Sequence, residues 1–510
     1  MADRAPTVAI VGGGLAGLAA ACALAGSDFQ VTVFERRPYL GGRASSYEHP
    51  GTGEIVDNCQ HVLFGSCTNL LAFYKTIGIE NKISWFDRMT FIEPRGRQSV
   101  LEPTFLPAPL HLTTSFLRFK FLNSRDKLSL ARGLLSLILH QPKDDGASFQ
   151  DWLIRHRQTP GAIERFWKPI LVSALSEDMD RIAVPYAAQV VRESMKSPAA
   201  RRMGIPKVPL TELYNAARDF ISAHGGSVRF RSSVQAFVST PLGVRVRLQD
   251  SEEDFDYVIP AVPFDSLAKL LPDSAEESSP TKVLREKLSH FETSPITGVH
   301  LWFDRQITDL PHAVLLDRTI QWMFHKSQLL DSDAGREGTT SVVPLEATPA
   351  AAPQGRKNTA QGVSPGCADK TTESRRDERN PGSYVELVIS SSKSLREKSR
   401  QEIIDIALKE LREFFPAARD ANLIKSTVIK EVNATFSPTP GIDRYRPASE
   451  TPWPRIFLAG DWTATGWPAT MESAVRSGFL AAEHVTENSG PRKKFLVPDL
   501  PATGLMRILG

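Results

Sequence analysis

The segment DNCQHVLFGSC, residues 57–67, sets a carboxylate, two amides, an imidazole and two thiols between apolar stretches. Cys59, His61 and Cys67 are zinc-ligand types, Asp57 and His61 suit acid–base work, and all of these groups serve equally well in a capped polar turn. A structural zinc site takes four ligands in short paired spacings. The other cysteines, Cys22 and Cys367, are distant and no CxxC occurs, so no metal is expected. His61 titrates in the range needed to pass a proton near neutral pH. Asp57 either orients that imidazole or holds a cofactor, and Gln60 completes the candidate polar set.

A second group consists of glycines. In PTVAIVGGGLAGLAAACALA, Gly12, Gly14 and Gly17 form G-x-G-x-x-G after a short β run and before an alanine-rich helix. Gly12 makes the turn, Gly14 lets backbone approach a pyrophosphate, and Gly17 lets helix and strand pack closely. Leu15 and Ala16 open that helix, whose free N–H groups and positive dipole end face the phosphates. QVTVFE follows as a second strand and ends at Glu35, placed to accept ribose hydroxyls. Its negative charge opposes a 2′-phosphate, although Arg36 and Arg37 keep an NADP reading open.

These residues need a large scaffold. With 510 residues the chain suits two or three domains. Its 61 basic and 58 acidic residues leave +3, which excludes a nucleic-acid binder driven by bulk charge. Four unpatterned cysteines suit a reducing cytoplasm. The N-terminal apolar run is too short for a signal peptide. No stretch reaches the roughly eighteen apolar residues of a membrane span. The protein is therefore expected to be cytoplasmic, with peripheral attachment to the inner face of the cell membrane as a compatible reading. Residues 107–139 interleave large apolar residues with Arg118, Lys120, Arg125, Lys127 and Arg132. Such a segment either covers a pocket with solvated charges outward or lies in a membrane interface.

Leu40-Gly41-Gly42-Arg43, soon after Glu35, and RIFLAGDWTATGWPATMESAVRSGFLAAE near the other end together resemble the flavoprotein superfamily of amine oxidases, phytoene desaturases and protoporphyrinogen oxidases. The resemblance implies FAD, with Arg36, Gly42 and Arg43 near the cofactor and Gly460 and Asp461 on its ribityl-pyrophosphate. It also places Thr470 and Met471, at the late helix N-terminus, on the flavin edge, where a positive dipole end stabilises the reduced anion. AHGGSVRFRSSVQAF resembles the superfamily's backbone contact to adenine, around Val234. The implied fold is α/β: a Rossmann-like FAD-binding domain of the glutathione-reductase and amine-oxidase type, with an interleaved α+β substrate domain. Residues 1–80, 205–290 and 440–487 are assigned to the former, 81–204 and 291–439 to the latter, and 488–510 to a C-terminal tail. Residues 331–383, polar and rich in Pro, Gly, Ser and Thr, read as a disordered insertion. ITGVHLWFD and YVELVIS read as strands, and SLREKSRQEIIDIALKELREFF as an amphipathic helix.

Amine oxidases usually carry a Tyr before the Met-Glu of the last motif, whereas this chain has Ala469-Thr470-Met471-Glu472. The missing aromatic wall disfavours an amine substrate. VDNCQHVLFG resembles more closely the squalene-associated flavoproteins, the hydroxysqualene dehydroxylases of bacterial squalene and hopanoid synthesis. This implies reductive removal of an allylic hydroxyl: an acid protonates the leaving oxygen and reduced FAD supplies hydride. His61, Asp57 and Gln60 are then the catalytic candidates, with Glu472 in reserve as the acid. A polyprenoid substrate calls for a long, apolar pocket with one polar spot. The electron donor is either NADPH or a separate reductase, since no second complete G-x-G-x-x-G occurs. The rivals are a polyprenoid desaturase or oxidase running the hydride the other way, and a non-catalytic prenyl-lipid carrier.

Overall fold

A computed structural model describes residues 4–271, 279–330 and 382–509. The expected insertion at 331–383 lies, apart from Gly382 and Ser383, outside the described residues, as does Cys367. The β-branched run β1 (Thr7–Val11) leads through the glycine turn into α1 (Leu15–Ala25), and the chain returns as β2 (Gln30–Phe34). Strands β3 (Ser227–Arg229) and β4 (Tyr257–Pro260) complete a parallel sheet of order β3-β2-β1-β4. Residues 455–459 run alongside β4, with the Phe457 and Ala459 amides donating to Val258 and Pro260 at 3.1 Å. Every residue of α1 except Ala23 is buried. A helix apolar all round must be covered on both sides, and here the sheet covers one.

The chain then builds a helical layer that includes α2 (Ser124–Leu139), started by an Asn123/Asp126 capping box. A seven-stranded mixed sheet follows. Its order is Leu423–Phe436, β5 (Thr293–Phe303), β7 (Tyr384–Ser390), β6 (Trp322–His325), His312–Leu315, Met89–Ile92 and Gln98–Leu101. β7 lies between β5 and β6 and is antiparallel to both, with His300 opposite Glu386 and Trp322 opposite Val388. One face of this sheet packs on α3 (Arg400–Phe414). The amphipathic helix expected from residue 394 begins at Arg400 instead, because Ser399 and Glu402 form a capping box there. Finally α4 (Met471–Ser489) crosses α1 so closely that a Cβ on Gly478 would stand 2.2 Å from the Ala16 carbonyl oxygen. α4 thus supplies the second cover α1 requires. The chain adopts the expected α/β class, with a parallel sheet and interleaved mixed α+β structure.

Candidate functional site

A cavity of about 780 Å³ opens at the carboxyl ends of β1 and β2 and runs between the two sheets. This is where open α/β sheets place their ligands. Gly12, Gly14, Leu15, Ala16, Glu35, Arg36, Gly42, Arg43, Val234, Gly460, Asp461, Thr470 and Met471 line it. Gly17 stands behind them, where an added Cβ would lie 2.0 Å from the Gly12 carbonyl oxygen. Gly12 turns the chain at φ +110°, its N–H donating to Phe34 O at 2.8 Å. A Cβ on Gly14 would meet nothing nearer than Gly42 Cα at 3.8 Å. It would project into open cavity, the space a pyrophosphate needs.

Glu35 accepts the Gly13 amide at 2.7 Å on one carboxylate oxygen and the Arg37 amide at 2.8 Å on the other. Each oxygen keeps a lone pair for a ribose hydroxyl. The backbone before Val234 is held beside it, with the Ser232 amide donating to Glu35 O at 2.9 Å. Arg43, expected beside the cofactor, donates to Asp461 Oδ1 at 2.5 Å and to Ala434 O at 3.0 Å. The two motifs, more than 400 residues apart, are thus joined by a salt bridge on the cavity wall. Thr470 caps α4 by accepting the Ser473 amide at 3.1 Å. The N-termini of α1 and α4 therefore both open on the cavity, and each is an anion site. This donor set, two helix N-termini, a ribose-binding carboxylate and room over Gly14, fits a dinucleotide carrying an anionic ring system.

The polar segment has a different layout from the one expected. Gln60 and His61 line the cavity, as do Cys59 and Cys67. Asp57 does not: it lies beneath the wall. One of its carboxylate oxygens accepts Lys326 Nζ at 2.6 Å, and the other accepts Ser46 Oγ at 2.7 Å and the Leu210 amide at 3.2 Å. Burial works to raise its pKa, but Lys326, Ser46 and the Leu210 amide outweigh it and hold the carboxyl below its usual range. Asp57, expected to orient His61 or hold the cofactor, does neither in this structure, because its oxygens are already taken. His61 Nδ1 lies 2.7 Å from Cys59 O. A carbonyl only accepts, so Nδ1 carries the proton and Nε2 is the acceptor in the neutral ring. Burial lowers the His61 pKa, so near neutral pH the ring is a neutral base rather than the acid expected. Glu472, the reserve acid, is also committed. It takes the Asn69 and Leu70 amides at 3.1 and 2.8 Å and Arg476 Nε at 2.8 Å.

Burial pushes Cys59 well above the usual thiol range and Cys67 up to about 12. Both are protonated thiols rather than the thiolates zinc takes. Among the described residues no three of His, Cys, Asp and Glu converge as metal ligands.

Two charged residues that the sequence reading did not single out organise this wall. Lys326 is 2% exposed, Asp57 5% and Glu386 0%. Lys326 Nζ also donates to Gln60 Oε1 at 2.9 Å, while Gln60 Nε2 donates to His61 O at 3.0 Å. The ammonium therefore fixes the turn that carries His61. Burial works to lower the Lys326 pKa, but Asp57 and Glu386 raise it on balance. Glu386 lies 3.7 Å from Lys326 with no hydrogen bond to either oxygen, and burial pushes it up to about 7 despite the lysine. The signal was present in QWMFHK. Trp322 and Phe324 alternate onto one face of β6, and Lys326 follows directly after the strand ends at His325. Trp322 and Phe324 stack at 5.6 Å and 7° and form the cavity floor with Val388 and Ile296. Phe166, Leu112, Leu134 and Leu101 also line the cavity, so this part is largely apolar, with the Arg201 guanidinium, which donates to Leu101 O at 3.2 Å, as a charged exception.

The model of the flavin-containing amine oxidoreductase family matches residues 15–486. The 15-cis-phytoene desaturase of Synechococcus elongatus is 27% identical over 500 residues, covering 94% of this chain and 95% of that protein. A probable zeta-carotene desaturase of the same organism is 27% identical over 507 residues, covering 94% and 98%. Among solved structures, an oxidoreductase from Methanosarcina mazei superposes with a TM-score of 0.67 at 16% identity, covering 94% of this chain and 100% of that one. At that identity the likeness shows a shared fold.

Proposed function

Because this chain belongs to the flavin-containing amine oxidoreductase family and is an FAD-dependent oxidoreductase, we propose that its substrate is a long polyprenoid lipid and its reaction a polyprenoid desaturation. The observation that carries this reading is the single cavity of about 780 Å³ that joins the phosphate cradle at Gly14 to a largely apolar part lined by aromatic and aliphatic side chains. The phytoene and zeta-carotene desaturases to which the chain is similar support the same substrate class. Bound FAD supplies a two-electron centre that takes or gives hydride.

The protein's own contribution is positioning and proton transfer. Trp322, Phe324, Val388 and Ile296 hold an extended hydrocarbon and exclude water from the reacting carbons. Lys326 and Gln60 fix the turn that aims His61 into the cavity. When a hydride leaves one carbon of a chain, a proton must leave its neighbour, and His61 Nε2, the acceptor atom of a neutral imidazole, is the base on this wall. A second reading, reductive dehydroxylation of hydroxysqualene with NADPH or a separate reductase as donor, is favoured by the V-D-N-x-Q-H-V-L-x-G segment. It needs an acid at the leaving oxygen, and Glu386, although pushed up to about 7, is fully buried off the cavity wall, as Asp57 is, which favours the first reading.

Anaerobic mixing tests the direction. Oxidised protein should lose its visible flavin absorbance on adding phytoene, with a desaturated product by mass. If only the reduced protein reacts, being reoxidised by hydroxysqualene and yielding squalene, the second reading replaces the first. No flavin response to either lipid would remove the polyprenoid assignment.

A further inference from the structure

The largely apolar part of the cavity contains a charge that its surroundings leave unmatched. Arg201 closes the short turn Ala199–Arg201, lines the cavity and is 7% exposed. Its place is fixed from two sides. The turn packs on the C-terminal end of the polar segment, with the Gly65 amide donating to Arg202 O at 3.0 Å and the Ser66 amide to Ala200 O at 3.1 Å. Glycine is required at 65, where an added Cβ would stand 2.0 Å from Ala199 O. The guanidinium itself is held by two strand ends: Nη1 donates to Asp87 O at 2.9 Å and Nη2 to Leu101 O at 3.2 Å. Those bonds use two of the five N–H donors of an arginine. The other donors have no partner among the described residues.

No carboxylate neutralises this cation. The acids whose charges reach it, Asp87 and Glu102, are bound to other arginines, Arg202 Nε lying 3.1 Å from Asp87 and Arg88 Nε 3.1 Å from Glu102. Beyond the ribose-binding Glu35, the carboxylates that line the cavity are committed too. Glu193 pairs with Lys196 at 2.8 Å, Glu431 accepts Asn58 Nδ2 at 2.9 Å, and Asp461 and Glu472 hold Arg43 and Arg476. His111 is wholly buried with neither ring nitrogen hydrogen-bonded, and burial together with the Arg201 charge lowers it to about 4. That ring is therefore neutral near pH 7. Burial lowers Arg201 itself only to about 10, so it keeps its charge. A buried cation with no matching anion is costly, and a lone polar group in an apolar ligand cavity orients what enters.

We propose that Arg201 anchors a carboxylate on the substrate, so that the molecule taken up is a polyprenoid acid. Its prenyl chain lies along Trp322, Phe324, Val388 and Ile296, and its carboxylate meets the unmatched N–H donors. The planar fork of a guanidinium suits the two oxygens of a carboxylate. A hydroxyl or carbonyl would leave the cation without a counter-charge, and a diphosphate carries more negative charge than one guanidinium offsets. The anchor also has a use. A plain hydrocarbon slides along an apolar cavity, whereas an anchored one presents the same carbons to the cofactor each time. Phytoene, which has no such group, enters through its chain alone. The prenyl part of this inference rests on the polyprenoid reading; the carboxylate part does not.

Binding to the FAD-loaded full-length protein is measured by equilibrium dialysis in dilute detergent. The ligands are geranylgeranoic acid, its methyl ester, geranylgeraniol, and palmitic acid, which matches the first in main-chain length. The wild type should bind geranylgeranoic acid about thirtyfold or more tighter than the ester or the alcohol, the usual gain from hydrogen bonds to a charged group. Arg201→Met should bring acid and ester within about threefold, and Arg201→Lys should restore part of the preference. Where Arg201→Met does not fold, the wild-type comparison of acid with ester and the Arg201→Lys variant carry the same test. Equal binding of acid and ester, or a preference that Arg201→Met leaves intact, overturns the anchor. So do acid and alcohol bound alike and weakened alike in Arg201→Met, which would make the recognised group a neutral oxygen. Turnover of phytoene with no preference for the acid overturns the anchor and leaves the polyprenoid reading standing. An Arg201-dependent preference for acids, palmitic acid included, with no turnover of any polyprenoid overturns that reading and leaves the anchor.

Discussion

At the scale of single residues, Gly14 and His61 separate cofactor binding from chemistry. Gly14 faces open cavity, with its nearest non-neighbouring atom 3.8 Å from an added Cβ. Gly14→Val should therefore fold but purify colourless, and an FAD to protein ratio near one in that variant would remove the pyrophosphate from this turn. His61→Phe keeps the ring's bulk and leaves every cofactor residue intact. Flavin content should stay at the wild-type level while turnover falls about a hundredfold or more, the usual contribution of a positioned proton-transfer group. Full turnover in that variant would make the imidazole structural. Asp57→Asn should behave differently from both. It leaves Lys326 buried against a neutral amide, and breaking a buried ion pair costs about 3–5 kcal/mol. The expected result is a lower urea midpoint, with flavin still bound in the fraction that folds. A variant as stable as wild type but inactive would return Asp57 to the catalytic set.

Among the elements, the crossing of α1 and α4 does the most for the site, since it brings two helix N-termini to one cavity. The crossing depends on Gly478, where a Cβ would stand 2.2 Å from Ala16 O. Gly478→Leu should force the helices apart and cost several kcal/mol, about the upper range of overpacking changes. Loss of flavin should accompany the loss of stability, because α1 carries the phosphate cradle. Retained flavin and an unchanged melting temperature would show that the crossing is not needed. Ser399→Ala tests a different element, removing the capping box of α3 far from the cavity. It should lower stability by about 1 kcal/mol in a urea titration and leave turnover unchanged.

For the whole molecule, buried histidines set the dependence of stability on pH. Burial lowers His300 to about 3 and His111 and His312 to about 4, whereas in the unfolded chain they titrate near 6.5. Between those values the unfolded chain binds more protons, so stability falls as pH drops below about 6.5. Glu386 acts in the opposite sense. Its folded value of about 7 exceeds its ordinary 4.5, so its contribution is present at low pH and is lost as pH rises through about 7. Three histidines outweigh one glutamate, and a net loss on the order of 3 kcal/mol is expected at pH 5 relative to pH 7.5. Melting temperatures across that range check the sign; a higher value at pH 5 would contradict it. The cofactor half of the molecule was legible in the sequence because its determinants are local. A glycine turn, a strand end and a helix N-terminus are each specified within a few residues, so Gly12, Gly14, Glu35 and Thr470 could be placed from spacing and resemblance. The start of α3 was legible too, in Ser399 and Glu402, although the apolar pattern alone set it too early. The reacting wall was not legible. Asp57 and His61 are four residues apart, and proximity suggested a couple, but the strand at Asp57 turns its carboxylate away from the cavity to Lys326, 269 residues on. Which polar group faces substrate, and which is spent holding two sheets together, depends on contacts between distant strands. Those contacts exist only once β6 and β7 have packed against residues 57–61.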